Sequence, residues 1–380
     1  MNQHTSLPVR EARRLAGCVL TPDGWRLGGI TFGERILSVD GERVAQPPAG
    51  QPLILPGFVD LHVHGGGGAD IMEGGAAIDT VCSLHARHGT TSLLATTITA
   101  TPSDLRQALA GVARAMAQRP AGAARVLGVH LEGPFINSGN LGAQPDLGRR
   151  ADLDEVVALQ ALAPLRVVTL APEIAGHLDF VRELTALGIV AQCGHSGGTY
   201  EEGLQAFDAG IRGVTHLFNA MSPFHHRAPG MVGAALAHAQ YAEIIPDLLH
   251  VHPGAIRTAL RAIPHLYCVT DSTAAAGMPD GDYRLGTHTV TKCMGGVRLA
   301  DGTLAGSTLT MDQALRNLVG IGCSVADAAR RLSTNPADYL GIHDRGRLSP
   351  AACADLAVFS PELALIAVYV EGESIVLADV

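Results

Sequence analysis

Lysine is nearly absent from this chain. Of 27 basic residues among 380, one, Lys292, is a lysine, and arginine supplies the rest. A Walker-type phosphate loop needs a lysine closing a glycine-rich run, and Lys292 closes none, so that class is excluded. A Schiff-base lysine is disfavoured on the same ground. Cysteine is sparse and unpaired. Cys18, Cys82, Cys193, Cys268, Cys293, Cys323 and Cys353 are scattered, odd in number and without a CxxC pair. That pattern reads as a reduced, cytoplasmic protein, with Cys193 a strand-core residue rather than a ligand. No apolar run reaches the roughly 18 residues of a membrane span. The opening residues 1–14 lack the apolar centre of a signal peptide. Positive charge is in deficit, with a formal net charge of -9, which argues against nucleic-acid and anionic-membrane partners. Neither an internal repeat nor a low-complexity linker is present.

The residues that are abundant point to a turn-rich globular enzyme. Glycine (45), proline (21) and a 47% hydrophobic fraction suit a large core crossed by many turns and argue against a helical bundle. Residues 1–55 and 345–380 both read as short strands, and neither end holds enough strand to fold alone. They are expected to form one small composite β domain, a β-sandwich built from both termini. Between them, 56–344 alternates apolar runs with helical periodicity. The runs are Phe58–Leu61, Thr91–Thr97, Val126–Leu131, Arg166–Leu170, Ile189–Cys193, Gly213–Leu217, Glu243–Asp247 and Tyr267–Thr270. Eight such β/α units predict an α/β fold of the TIM-type (β/α)8 barrel class. The segment Ala274–Gly306, rich in glycine and turn signals, reads as a loop or hairpin excursion after the eighth strand.

Active sites of such barrels lie at the C-terminal ends of the strands. His62 and His64 end the first run and point to one face, because strand side chains alternate with period two. The third run leads into Glu132, the fifth into His195, the sixth into His216 and the eighth into Asp271. Any one of these has a plain structural reading as a hydrogen-bonded strand-end residue. Four histidines and two carboxylates at one mouth point instead to a divalent metal centre, zinc first and iron second. Glu132, His195 and His216 form one three-ligand set with a position open for water. His62 and His64 can hold a second ion with Glu132 bridging. A bound metal brings the pKa of its water toward neutrality, and Asp271 is the natural proton acceptor. His130, two residues before Glu132, is a candidate for the layer behind the ligands. His85 and His88 read as helix packing or surface.

The motifs PGFVDLHVHG, HGTTS, HLEGPF, GHSGGTYEE, GVTHLFNAMSPFHHRAPG, VTDSTAAAG, LAGSTLTMDQALRNLV, STNPADYLGI and ADLAVF follow one another in that order. With them the sequence resembles the N-acetylglucosamine-6-phosphate deacetylase family of the amidohydrolase superfamily. The resemblance implies hydrolysis of the acetamido group of a phosphorylated amino sugar, acetate as a product, one or two divalent ions per subunit and a homodimer. It implies that Glu132, His195 and His216 are the main metal ligands and that Asp271 is the catalytic acid and base. It implies that Asn219, Ala220 and Arg227 hold the sugar phosphate, that His250 is a further substrate-binding residue, and that Leu304, Ala305 and Gly306 line the sugar pocket. The chain departs from the family at Leu141–Pro145, where many members carry a histidine that helps to polarise the amide carbonyl. Here Ala143 and Gln144 stand in that stretch, and Gln144 can donate a neutral hydrogen bond but carries no charge. A cyclic-amide hydrolase with a carboxylated lysine on its fourth strand is nearly excluded, because Lys292 lies beyond Asp271. A non-catalytic scaffold is disfavoured, because all six candidate site residues are present. The sequence leaves the gluco and galacto epimers of the substrate equivalent.

Overall fold

The computed structural model describes residues 12–377. Residues 1–11, on which most of the leader reading rests, lie outside the described residues. At the centre is a curled sheet of six parallel strands, Phe58–Val63, Thr90–Thr97, Arg125–Glu132, Leu165–Leu170, Val190–Cys193 and Gly213–Val214, arranged in chain order. The first two are buried along their whole length, as strands covered on both faces must be. A second parallel pair, Glu243–Ile244 with Tyr267–Cys268, follows. The Leu217 N–H donates to Glu243 O at 2.9 Å, linking the sixth strand's turn to the seventh. The Asp271 N–H donates to His62 O at 2.9 Å, and the His64 N–H to Ser272 O at 2.9 Å, linking the segment after the eighth strand to the first.

The intervening helices begin and stop where their chemistry dictates. Thr101 accepts from the Asp104 N–H ahead of Pro102 at the start of Pro102–Ala117. Thr199 and Glu202 form a capping box that opens Tyr200–Ala209, and Gly210 closes it. No helix among the described residues is long and apolar enough to cross a membrane. The later strands are shorter than the sequence suggests. The sixth ends at Val214 rather than Leu217, and the seventh at Ile244 rather than Asp247. The cause is local: Leu217 is flanked by His216 and Phe218 at φ 28° and 83°, values no strand ladder accommodates, and Pro246 has no N–H to donate to a ladder.

Both ends of the chain meet in one seven-stranded sheet, ordered 373–375, 365–370, 356–359, 53–56, 13–21, 24–32 and 36–44. Phe32 and Tyr369 stand four strands apart in that order, roughly 19 Å in a flat sheet. Their ring centroids are 5.1 Å apart, so the sheet rolls over onto itself. Ile30, Phe32, Ile54, Leu356 and Val358 share the core enclosed by that roll.

An ion cluster ties this sheet to the helical shell. Arg345 pairs with Asp355 at 2.6 Å and with Glu371. Glu371 also meets Arg125 at 2.7 Å and Arg119 at 3.2 Å. Arg345→Met leaves the buried Asp355 without its cation and should cost about 3 kcal/mol in urea unfolding. Burial alone would raise the Glu371 pKa, but Arg125 and Arg345 bring it from 4.5 down to about 2. Its folded pKa is therefore the lower one. Its contribution is complete above about pH 4.5 and is lost as the pH falls toward 2. In the variant, stability should depend less steeply on pH across that window.

The predicted excursion is a three-stranded antiparallel sheet, Gly281–Leu285, His288–Cys293 and Gly296–Arg298. Its first turn is latched where the Gly286 N–H donates to Asp70 at 2.7 Å. Lys292 holds it from behind, donating through Nζ to Met278 O at 2.5 Å and Ala275 O at 3.3 Å.

Candidate active site

The site forms where the strands end. His62 lies near the end of the first strand, His64 one residue past it, and Glu132 closes the third. His195, His216 and Asp271 sit just beyond shorter strands at φ 48°, 28° and 49°. Non-glycine residues rarely adopt this left-handed region, and such strain collects at functional sites. Here each sharp turn brings a side chain over the mouth.

Glu132 is the hub. Its Oε1 lies 3.1 Å from His195 Nε2, 3.1 Å from His216 Nε2 and 3.5 Å from His62 Nε2. Its Oε2 lies 3.2 Å from His64 Nε2. The Nε2 atoms of His195 and His216 are 3.1 Å apart, as are those of His62 and His64. Two triads result, Glu132 with His195 and His216, and Glu132 with His62 and His64. Ligand atoms bonded at ~2.0 Å to a tetrahedral ion stand about 3.3 Å apart, so this spacing fits a divalent metal ion. Asp271 Oδ1 is 3.3 Å from His64 Nε2 and 3.5 Å from His62 Nε2.

The electrostatics match a cation site. Burial opposes ionisation of Glu132, but His62 and hydrogen bonds from His195 and His216 hold its carboxyl well below the usual range. Asp271 is lowered in the same way, burial being outweighed by His62 and His64. Burial also works against a charged His64, yet Asp271 and Glu132 raise it to about 9. The side chains thus collect positive charge between buried carboxylates, and a divalent cation supplies that charge directly. The Nδ1 atoms of His64 and His216 are buried with no protein partner among the described residues. His195 Nδ1 is 2.9 Å from Asn140 O.

A cavity of about 220 Å³ opens above the hub. His64, Glu132, Ala143, Gln144, His195, His216, Asn219, Ala220, His250, Asp271, Leu304 and Gly306 line it, so most of the expected site residues meet there. His62 is fully buried beneath its floor, and Ala305 is fully buried behind its wall. Arg227 stands apart from them. It is exposed on a segment that projects into solvent with Phe224, stands 2.7 Å from His226 Nε2, and is absent from the cavity wall. Gln144 is fully engaged: Nε2 donates to Glu132 Oε2 at 2.5 Å, and Oε1 accepts the Thr99 N–H at 2.7 Å. His250 is fixed by Asp247, which accepts from the main-chain N–H of Leu249 and His250 and lies 2.7 Å from His250 Nδ1. Burial disfavours its charged form, but Asp247 outweighs burial and raises the His250 pKa.

Several residues escaped the sequence reading. Glu243, fully buried, lies 2.9 Å from His62 Nδ1. The one available signal was an acid opening an apolar run. Leu285 and Thr303 reach the cavity from the hairpin segment, and Ile98 from the second strand's end. His130 lies behind the ligands, its ring 4.6 Å from that of His62. Its nitrogens are engaged by Leu61 O and Thr169 Oγ1, and burial lowers its pKa to about 4. His85 packs against Gly65 O and Ser272 Oγ. Cys193 is buried core.

A curled parallel sheet whose strand ends carry histidine–carboxylate triads beside an ionised aspartate defines a metal-dependent hydrolase. The chain matches the amidohydrolase family over residues 53–375, and it belongs to that family. It is 39% identical to an N-acetylgalactosamine-6-phosphate deacetylase of Escherichia coli O157:H7, over 96% of this chain and 98% of that one. It is also 39% identical to an N-acetylglucosamine-6-phosphate deacetylase of Bacillus subtilis, over 90% and 91%. Among solved structures it resembles a variant N-acetyl-D-glucosamine-6-phosphate deacetylase of Mycobacterium smegmatis in complex with N-acetyl-D-glucosamine-6-phosphate. The TM-score is 0.89 at 34% identity, covering 97% of this chain and all of the other.

Proposed function

We propose that the protein hydrolyses N-acetyl-D-glucosamine 6-phosphate to D-glucosamine 6-phosphate and acetate. The observation that carries this is the convergence of Glu132, His195 and His216 within 3.1 Å of one another beside Asp271, in a cavity of sugar size. A divalent ion held by Glu132, His195 and His216 would activate water and polarise the amide carbonyl. Asp271, ionised and 3.3 Å from His64, takes the proton from the attacking water. It then returns that proton to the nitrogen that leaves as the amino sugar. His250, held by Asp247, offers a positive charge to the phosphate. Asn219 and Ala220 line the same cavity and add donors. Gln144, clamped to Glu132, orients that ligand. Leu304 and Gly306 border the sugar, and Ala305 supports them from behind. Arg227, exposed and outside the lining of its own cavity, would serve the phosphate across a subunit interface, in keeping with the homodimer implied by the family resemblance.

The same proposal includes zinc as the ion and a second ion at His62 and His64. It includes a closed (β/α)8 barrel over 56–344, supported by the two main-chain links that continue the ring. It divides the chain into that barrel and a composite β domain of 1–55 with 345–380, whose rolled sheet supports the sandwich reading. A cytoplasmic location follows from the unpaired cysteines.

The galacto epimer is a second substrate reading, favoured by the equal identity to the Escherichia coli and Bacillus subtilis relatives. A lysine-bridged cyclic-amide hydrolase is opposed by the placement of Lys292 on the hairpin. The test is acetate release from both N-acetylhexosamine 6-phosphates, their unphosphorylated forms and a cyclic amide. The expected result is turnover of phosphorylated substrates only. Equal turnover of free N-acetylglucosamine would remove the phosphate site from the reading.

A further inference from the structure

One buried acid beneath the cavity has no part in the chemistry above. Glu243 opens the seventh strand and is fully inaccessible to solvent. Its Oε2 lies 2.9 Å from His62 Nδ1 and accepts the main-chain N–H of His216 at 3.2 Å. On its other side the Tyr267 hydroxyl donates to Oε1 at 3.4 Å. Tyr267 leads on to Gln192, which also accepts from the Tyr339 hydroxyl at 2.7 Å. Barrel interiors are ordinarily filled with branched apolar side chains, so a fixed acid in a polar layer needs a reason. His62 supplies it. With Nδ1 on Glu243, the opposite nitrogen, Nε2, faces Glu132, His64 and Asp271.

We propose that Glu243 is a positioning residue: it keeps the His62 proton on Nδ1 and so presents Nε2 to the metal as a ligand. It also accepts the main-chain N–H of His216, a contact that the carboxamide oxygen of a glutamine can keep. A neutral imidazole has one protonated and one free nitrogen, and the partner of the first decides which is free. A carboxylate in that place makes the ligand nitrogen more basic and prevents ring rotation. The cluster His62, His130 and Glu243 is not itself a cation site, because both nitrogens of His130 are already hydrogen-bonded. The inference rests on the reading of His62 as a ligand.

The experiment separates the two. Chelator-stripped protein is titrated with Co²⁺ and followed by visible absorption, for the wild type, Glu243→Gln, His62→Asn and the double variant. Glu243→Gln should weaken Co²⁺ binding by about 10- to 100-fold. In the His62→Asn background the same substitution should change binding by less than about threefold, because Glu243 acts through His62. An equal loss in both backgrounds would mean a general structural role and would overturn the proposal, as would unchanged binding in Glu243→Gln. Unchanged binding in His62→Asn would overturn the ligand reading and the inference with it. Histidine ¹⁵N shifts of the stripped wild type give a check that needs no Glu243 variant. The signals lost in His62→Asn should include a protonated Nδ1, and a signature of a free Nδ1 would refute the proposal.

Discussion

Asp271→Asn should lower kcat by about 10³-fold or more while the bound metal stays in place. The carboxamide keeps the shape of the side chain but has no oxygen basic enough to take a proton from water. Local structure favours a clean substitution. The Asp271 N–H donates to His62 O at 2.9 Å, and its carbonyl accepts the Ser307 N–H at 2.7 Å, so the main chain is held on both sides. The φ of 49° is tolerated well by asparagine. Steady-state kinetics with metal analysis of the same samples checks this. A kcat within about tenfold of the wild type would take the proton-transfer role from Asp271. Loss of metal in parallel would make it a ligand first.

Glu132→Gln should lower metal affinity by at least about 100-fold, with activity falling alongside unless metal is supplied in excess. The estimate is a floor, since disturbing residues behind the ligands already costs 10- to 100-fold. Glu132 belongs to both triads, so a neutral amide there weakens both at once. Its carboxylate also lies against all four imidazoles, whose Nε2 pairs His195–His216 and His62–His64 are each 3.1 Å apart. The measurement is metal per subunit after dialysis against a chelator, beside circular dichroism to confirm the fold. Full metal retention would shift the hub elsewhere.

The residues visible in the sequence are those whose neighbours announce them. His62 and His64 follow a run whose period places both on one face. Glu132, His195, His216 and Asp271 follow apolar runs closely enough for strand-end logic to find them. That logic places His216 on its strand, whereas it stands, like His195 and Asp271, on a left-handed turn just past the end, and no residue type there signals the turn. Glu243 was invisible for a different reason. Its partner His62 is 181 positions away, and only the curvature of the sheet brings the first strand over the seventh. An acid at the head of a strand otherwise looks like a solvent-facing rim residue. Gln144 was noticed for the charge it lacks, but its grip on Glu132 and Thr99 depends on a loop path that composition does not encode. Arg227 shows the converse. Its motif is plain in the sequence, yet its side chain is exposed and takes no part in lining the chain's own cavity.

The lone lysine has a practical consequence. Lys292 lies mid-hairpin, opposite Gly281 on one side and Val297 on the other, with its amine tied to Met278 O and Ala275 O. A lysine-specific endoprotease therefore has one internal bond to cut in 380 residues, and that bond sits in the segment whose ends supply Leu285 and Leu304 to the cavity. Proteases take their substrates as extended, unpaired chain, so scission at this bond records the unpairing of Lys292 from its neighbouring strands. The same scarcity that closes off phosphate-loop and Schiff-base chemistry gives the molecule a built-in reporter of local order in the segment beside its cavity.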